Sequence, residues 1–109
     1  MKLIIAVVQD QDANKLLSAL MEKGYGATKL ASTGGFLRQG NTTLLIGTKD
    51  DELSEVTVII KEICHTRKQL VSPMATVEQT VSSYIPSPVE VEVGGATIFV
   101  VQVESFEKI

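Results

Sequence analysis

The sequence predicts an α+β domain with the ferredoxin-like element order βαββαβ. A short, continuous run of β-branched and apolar residues at 2–8 is typical of a central strand buried on both faces. Two later segments carry apolar residues at helical spacing, and a glycine-bounded pair of strands lies between them. Two strand–helix–strand units whose middle strands form a hairpin make the split βαβ pattern. We therefore expect one antiparallel sheet sandwiched with two helices on one face, and a second face that is solvated or buried in an oligomer.

Size and charge limit the classes of protein that this chain can represent. Its 109 residues suit a single domain, 1–109, with one core. A net charge of −3 and scattered basic residues argue against nucleic acid as a partner. The apolar run at 3–8 is too short to cross a bilayer, so we expect no membrane insertion. The only cysteine, Cys64, excludes an internal disulfide and suits a reducing cytoplasm.

The first strand–helix–strand unit is defined by its caps and its apolar stripe. Asp10 or Asp12 can cap the first helix. Gly24 follows at the position of a left-handed C-terminal residue. Residues 25–32 and 41–47 are expected to form the second and third strands. The buried stripe of the helix is expected to consist of Ala13, Leu16, Leu17, Leu20 and Met21.

The second unit begins with a helix whose first turn is acidic. Asp50, Asp51 and Glu52 suit the N-terminal dipole of this helix, and basic residues at 65–68 lie near its expected end. Its buried face is expected to consist of Leu53, Val56, Ile60 and Ile63.

The last third of the chain predicts a long loop followed by a hairpin. Between residues 70 and 88 no periodic pattern remains, and the prolines forbid a long regular element. A loop of this length in so small a domain is usually functional or disordered. Valines and glutamates alternate over 89–93, Gly94 and Gly95 turn the chain, and 96–103 returns as the last strand. We therefore expect an extra C-terminal hairpin.

The loop between the second and third strands has the chemistry of an anion-binding site. Gly34 and Gly35 can take positive φ, so that successive backbone N–H groups point into one concavity. Threonine and asparagine side chains surround the loop with neutral donors, and Phe36 offers a flat apolar surface. This combination suits a phosphate and a base. The spacings of a Walker-type loop and of a dinucleotide fingerprint are missing, however, and an ordinary hairpin turn also explains the glycines.

No group of residues has the chemistry of an active site. His65 adjoins Cys64, but neighbours on a helix point about 100° apart, which suits neither a metal pair nor a nucleophile–base pair. Glu90 and Glu92 share one strand face, which the alternation with valines explains as a solvated face. No cluster has metal-ligand spacing. We expect a non-enzymatic protein without a metal or a cofactor.

Three segments of the sequence together resemble a known family. Residues 28–43 read TKLASTGGFLRQGNTT, residues 6–12 read AVVQDQD, and residues 88–99 read PVEVEVGGATIF. They resemble the PII-like cyclic di-AMP receptor family of the PstA or DarA type. The resemblance implies a PII-like ferredoxin fold, a homotrimer, and a role in signal transduction in the cytoplasm of Gram-positive bacteria. It also implies that cyclic di-AMP binds in clefts between neighbouring subunits.

The same resemblance assigns ligand-binding roles to individual positions. Thr28 would donate its hydroxyl to a phosphate, together with the backbone N–H groups of residues 35–37. The side chain of Asn41 and the backbone at Gly47 would read an adenine edge, and Phe99 from a neighbouring subunit would pack on a base. The implied ligand-binding positions are Ala27, which lines the pocket, Thr28, Gly35, Phe36, Leu37, Asn41, Gly47 and Phe99.

The chain departs from the family pattern at three positions, which keeps other functions open. Gly24 and Gly26 stand where the family commonly has an asparagine and an arginine, and Lys108 replaces a glutamine that closes over the ligand. The alternatives are a PII-type sensor of ATP or ADP, and a trimer with a degenerate pocket and a scaffolding role. In the receptor interpretation, the long loop at 72–86 is expected to contact an unknown protein partner.

Overall fold

The structure, a computed structural model, describes residues 1–32, 40–71 and 88–109. This part of the chain contains six β-strands and two α-helices. The glycine-rich segment 33–39 and most of the long loop, 72–87, lie outside these ranges. In chain order the elements are β1 Lys2–Gln9, α1 Asp10–Glu22, β2 Gly26–Ser32, β3 Asn41–Thr48, a 3₁₀ turn Asp50–Glu52, α2 Leu53–Cys64, β4 Arg67–Val71, β5 Val89–Val93 and β6 Ala96–Gln102.

The main sheet has the ferredoxin-like strand order β2-β3-β1-β6, and all neighbouring strands in it are antiparallel. The first strand is central, as its continuous apolar sequence predicts. Both helices pack on one face of this sheet. The α+β fold class with two helices on one side of an antiparallel sheet is therefore confirmed.

The core lies between the helices and the sheet. Alternate residues of β1 and β3 meet the apolar stripes of α1 and α2, and burying each large side chain contributes about 1.5–3 kcal/mol relative to exposure. The completely buried members of this core are Ile4, Ala6, Val8, Leu16, Leu20, Leu44, Ile46, Val56 and Ile60. Met21, expected in the stripe, is instead 61% exposed, because it lies about 100° around α1 from Leu20.

The two ends of α1 differ in how well the sequence predicts them. Gly24 has φ +87°, and its N–H bonds Met21 O while Tyr25 N–H bonds Leu20 O, which is a Schellman motif. The predicted N-terminal cap is wrong. The cap position is Gln9, which makes no side-chain capping bond, and the two aspartates lie inside the first turn, where their side chains bind other elements.

The second helix is shorter than its pattern suggests. Its acidic start is confirmed: the Glu52 carboxylate accepts a hydrogen bond from the Lys49 backbone N–H at 3.1 Å. The helix ends at Cys64, and the basic residues Arg67 and Lys68 begin strand β4 instead of closing the helix. Sequence reasoning missed this strand because its five residues show no clean alternation.

The extra antiparallel pair near the C-terminus is present, but its strands are not the two that flank Gly94 and Gly95. Strand β5 pairs with β4 in a separate two-stranded sheet, here called the ribbon, while β6 pairs with β1 in the main sheet. Both glycines have positive φ, which lets the chain pass from one sheet to the other. None of the helices in the described ranges is both long enough and apolar enough to cross a membrane.

Candidate functional site

The sheet face away from the helices is largely apolar. Its residues are known from the strand register: Thr28 lies opposite Leu45, Leu45 opposite Ile5, and Ile5 opposite Phe99, so these four form one row across the sheet. On this face Leu30, Phe99 and Val101 are each 43–45% exposed. This surface, which we call the open face, is where most of the predicted site residues in the described ranges point.

A cleft of about 500 Å³ lies at one end of the open face. Strands β1, β2 and β3 supply its floor through Leu3, Thr28 and Leu45, and the segment after β6 supplies its rim through Val103 and Phe106. Thr28 and Gly47, which sequence analysis placed in the ligand site, both line this cleft.

The cleft exists because two glycines oppose each other. Gly26 of β2 pairs with Gly47 of β3, so neither strand places a side chain there. A Cβ added to Gly26 would meet no atom within 4 Å, and one added to Gly47 would meet only Met1 Cε at 3.6 Å. Neither glycine has positive φ, so backbone conformation does not require glycine at either position. The two glycines contribute the space that side chains at these positions would otherwise fill.

The structure does not bring all predicted positions to this cleft. The side chain of Ala27 packs against the core, so only its backbone is directed toward the site. Asn41 is almost fully buried at the far end of β3, opposite Gln9 and Ser32. Asn41 and Gly47 lie six positions apart along β3, roughly 20 Å in an extended strand, so within one chain they lie at different ends of the sheet. The predicted loop positions Gly35, Phe36 and Leu37 lie outside the described residues.

Phe99 lies at the opposite edge of the sheet from Thr28. Three strand spacings separate the two, which is roughly 14 Å across the open face. Within one chain Phe99 therefore lies away from the cleft that contains Thr28 and Gly47.

Comparison with known proteins gives the family. The model of a cyclic di-AMP receptor family matches residues 1–109, the whole chain. The chain belongs to the cyclic di-AMP receptor family. It is also similar to the crystal structure of a functionally unknown protein from Pediococcus pentosaceus ATCC 25745. The two share 42% sequence identity, the match covers 99% of this chain and 96% of that chain, and the TM-score is 0.80.

Lys2 also borders the described cleft, and sequence analysis did not predict it; alternation along β1 places its side chain on the helix side of the sheet, together with Ile4. Lys2 lies at the start of β1, and its Nζ donates a hydrogen bond to the neutral Gln102 Oε1. Every other residue that the structure shows lining the cleft has an uncharged side chain. Lys29, two strands away, extends to the helix side, where its Nζ donates to Asn14 Oδ1 at 3.0 Å. Alternation along β1 predicts which residues face the helices, but not which strand end lies beside the cleft.

One of the three departures from the family pattern, Gly26, lies in this cleft. Gly26 is part of its lining, so the arginine that the family commonly has there would extend into the same space. Tyr25, the preceding residue, is anchored to α2, because its hydroxyl donates to Glu55 Oε1 at 2.8 Å. That hydrogen bond, together with burial, raises the pKa of Tyr25 to about 12. The start of β2 is thus anchored to α2, although Gly26, the residue after Tyr25, has no side chain.

The Cys64–His65 pair does not have the geometry of a catalytic pair in this receptor. The Cys64 thiol is buried against the core, and burial together with the Asp12 carboxylate raises its pKa to about 12. The His65 ring nitrogen Nδ1 lies 3.0 Å from the Glu62 carbonyl oxygen. Within the described ranges no three His, Cys, Asp or Glu residues are grouped so that they could hold a metal ion.

Proposed function

We propose that this chain is a non-enzymatic signal-transduction protein that binds cyclic di-AMP in clefts between the subunits of a homotrimer. Ligand binding then rearranges loops that contact a protein partner. The observation that carries the proposal is the open face, with a glycine-floored cleft at its β2–β3 edge and an exposed phenylalanine at its β6 edge.

The open face supports an oligomer of this chain. Leucine, valine and phenylalanine side chains on it are partly exposed in the single chain, and a contiguous apolar surface of this kind usually marks an interface. Thr28 and Phe99 lie about 14 Å apart in one chain, so both side chains reach the same part of a ligand only if they come from different subunits. A trimer that packs its open faces together supplies this arrangement.

The charge of the cleft supports a cyclic dinucleotide in preference to a nucleoside triphosphate. Cyclic di-AMP is a diester with one negative charge on each phosphate, and neutral hydroxyl and backbone donors suffice for such a group. In the described lining, Thr28 supplies a hydroxyl, and the one residue with a cationic side chain, Lys2, has that side chain on the helix side of the sheet. A triphosphate carries more charge and is normally bound by several cations or by a metal ion.

The partner-binding part of the proposal rests on the ribbon and its loop. Residues 72–86 belong to the segment between the two ribbon strands in the sequence, and we assign them the contact with a protein partner whose identity is open. The receptor would act as a single domain over 1–109 in the cytoplasm of a Gram-positive bacterium, and its one buried thiol is compatible with a reducing compartment.

Isothermal titration calorimetry with cyclic di-AMP tests the function, with ATP and cyclic di-GMP as competing ligands. We expect saturable binding near one ligand per subunit, and a trimer by light scattering. Thr28→Val removes the hydroxyl without changing the shape of the side chain and should weaken binding. Thr97→Val makes the same change on the open face outside the cleft and should not.

Two other results would identify a different function. Saturable binding of ATP without binding of cyclic di-AMP would indicate a PII-type nucleotide sensor. An intact trimer that binds none of the three nucleotides would indicate a scaffold with a degenerate pocket, an outcome that the glycine at position 26 favours.

A further inference from the structure

Three residues at the end of β1 and in the first turn of α1 contact two distant parts of the molecule at once. We call Gln9, Asp10 and Asp12 the α1 junction. One side of the junction binds the start of β3, and the other side binds the ribbon and the glycine turn that follows it. The predicted ligand-binding residue Asn41 lies in the first of these parts, and the proposed partner-contacting loop belongs to the second.

Asp10 makes the contacts on the β3 side. Its carboxylate accepts a hydrogen bond from Thr42 Oγ1 at 2.6 Å, and its backbone N–H donates to Gly40 O at 3.0 Å. A Cβ at Gly40 would lie 2.5 Å from Asp10 Oδ2, so the carboxylate covers Gly40 directly. Asp10 therefore contacts Gly40 and Thr42, the two sequence neighbours of Asn41. A displacement of Asn41 must move or strain these contacts.

Asp12 and Gln9 make the contacts on the ribbon side. The Asp12 carboxylate is almost fully buried and accepts two hydrogen bonds from the Arg67 guanidinium, at 2.7 and 3.3 Å. Gln9 Oε1 accepts the buried Gly94 N–H at 2.6 Å. Arg67 begins β4 and Gly94 directly follows β5, so both strands of the ribbon are fixed at their core-proximal ends.

The two aspartates point to different sides because they are two positions apart in the first turn of a helix. Each residue advances about 100° around the axis, so the two side chains diverge by about 200°. The partner of Asp12 is also held in place: Arg67 Nη1 donates to His65 O at 3.0 Å, and any side chain at Gly94 would collide with both groups. Both carboxylates are carried by the same helical turn, so a movement of that turn displaces the contacts on both sides of the junction.

We propose that the α1 junction couples occupancy of the ligand site at Asn41 to the position of the ribbon, with Asp10 and Asp12 as the positioning residues. The proposal rests on the function proposed above, since it takes the ligand to be one that contacts Asn41. It assigns a role to the AVVQDQD segment beyond capping the helix: ligand binding tightens or shifts the start of β3, and the ribbon follows.

Hydrogen–deuterium exchange tests the link in the ligand-free protein. Arg67→Gln breaks the bond to Asp12, and Lys68→Gln is its control, because it breaks the exposed Lys68–Glu90 pair of the same ribbon without touching the junction. We expect Arg67→Gln to accelerate exchange about fivefold or more at residues 40–46, corresponding to a coupling of about 1 kcal/mol or more. Lys68→Gln should leave these residues unchanged. Unchanged exchange at 40–46 in Arg67→Gln would overturn the link.

The reverse direction has its own pair of variants, because coupling between two sites is reciprocal. Thr42→Val removes the hydroxyl that Asp10 accepts, while Thr42→Ser retains it. Thr42→Val should accelerate exchange in the ribbon strands, and Thr42→Ser should restore the wild-type rate. Equal ribbon exchange in the two variants contradicts the proposal and would not be explained by misfolding, since both substitutions keep the β-strand.

The ligand arm separates this proposal from the proposed function. Cyclic di-AMP is added at a concentration that calorimetry on the same sample shows to be saturating. In the wild type we expect added protection both at residues 40–46 and in the ribbon, and in Arg67→Gln only at residues 40–46. Saturable binding without any change of exchange in the ribbon of the wild type would contradict the coupling and leave the receptor function intact. Absence of binding would contradict both the receptor function and the ligand coupling. The exchange measurements without ligand would still decide whether the α1 junction links the start of β3 to the ribbon.

Discussion

Thr28 and Phe99 occupy opposite ends of one row across the open face of the sheet. Leu45 and Ile5 lie between them, and the three strand spacings amount to roughly 14 Å. Thr28 offers a hydroxyl for a phosphate, and Phe99 offers an aromatic ring for a base. Within one chain these two side chains therefore cannot contact the same part of a ligand. This geometry makes the proposed intersubunit cleft testable.

A complementation experiment tests whether Thr28 and Phe99 act from different subunits. Thr28→Val and Phe99→Ala should each weaken cyclic di-AMP binding, and loss of a base–aromatic contact costs about 1–3 kcal/mol. Mixed trimers of the two single variants should regain some tight sites, because a subunit with intact Thr28 can adjoin one with intact Phe99. Titration of the purified mixed trimers gives the number of tight sites.

The double variant provides the control, since trimers in which every subunit carries both changes contain no intact cleft. If mixing the single variants regains no tight sites while the trimers remain stable, the two residues act within one subunit and the intersubunit arrangement is wrong.

Gly26→Arg should strengthen binding of cyclic di-AMP. A Cβ at this position meets no atom within 4 Å, and the new side chain would bring a cation into a cleft whose other lining residues on β2 and β3 are uncharged. A charge-assisted hydrogen bond to a phosphate contributes about 1.5–3 kcal/mol, or roughly ten- to more than a hundredfold in affinity. Gly26→Gln adds a shorter, uncharged hydrogen-bond donor and should give a much smaller gain. Equal affinities of the two variants in calorimetry would place the phosphate elsewhere.

Gly47→Val should abolish binding while preserving the fold. The position is extended strand without positive φ, so valine is sterically allowed and favoured by β-propensity. Its side chain would fill part of the 500 Å³ cleft. Gly47→Ala adds only a methyl group that meets Met1 Cε at van der Waals distance, and should bind with a smaller loss. Wild-type affinity of a folded Gly47→Val protein, measured by calorimetry, would exclude this cleft as the ligand site.

Tyr25 should make stability fall at high pH. The hydrogen bond to Glu55 raises the pKa of its hydroxyl from 10.0 to about 12 in the folded chain. The unfolded chain loses this proton near pH 10 and the folded chain near pH 12, so the contribution is fully present below pH 10 and is lost as the pH rises to 12. Urea unfolding at pH 8, 10 and 11.5 measures it.

Tyr25→Phe lacks the titrating hydroxyl and is the comparison for the same pH series. Its unfolding free energy should decline less between pH 10 and 11.5 than that of the wild type. Identical slopes for the two proteins would mean that the bond to Glu55 does not persist in solution.

Local patterns predicted the elements of the main sheet with little error. The apolar run after Met1, the stripe around Leu16 and Leu20, and the left-handed Gly24 all depend on neighbours within one or two turns, and all three are confirmed. The same reasoning missed strand β4, whose residues form a regular strand only by pairing with β5. A short strand without alternation has no local signal, because its partner lies about twenty residues away along the chain.

The sequence by itself determined the order of the elements in the main sheet, most of the buried faces and the family likeness, because periodicity, turn chemistry and motifs are properties of neighbouring residues. Only the tertiary structure decided that Gly26 faces Gly47 and leaves a cleft, that Thr28 and Phe99 lie at opposite edges, and that Asp12 binds Arg67. Each of these depends on strand register or on how elements pack together. Register and packing are settled by contacts between residues far apart in the chain, and such contacts leave no periodic trace in the sequence.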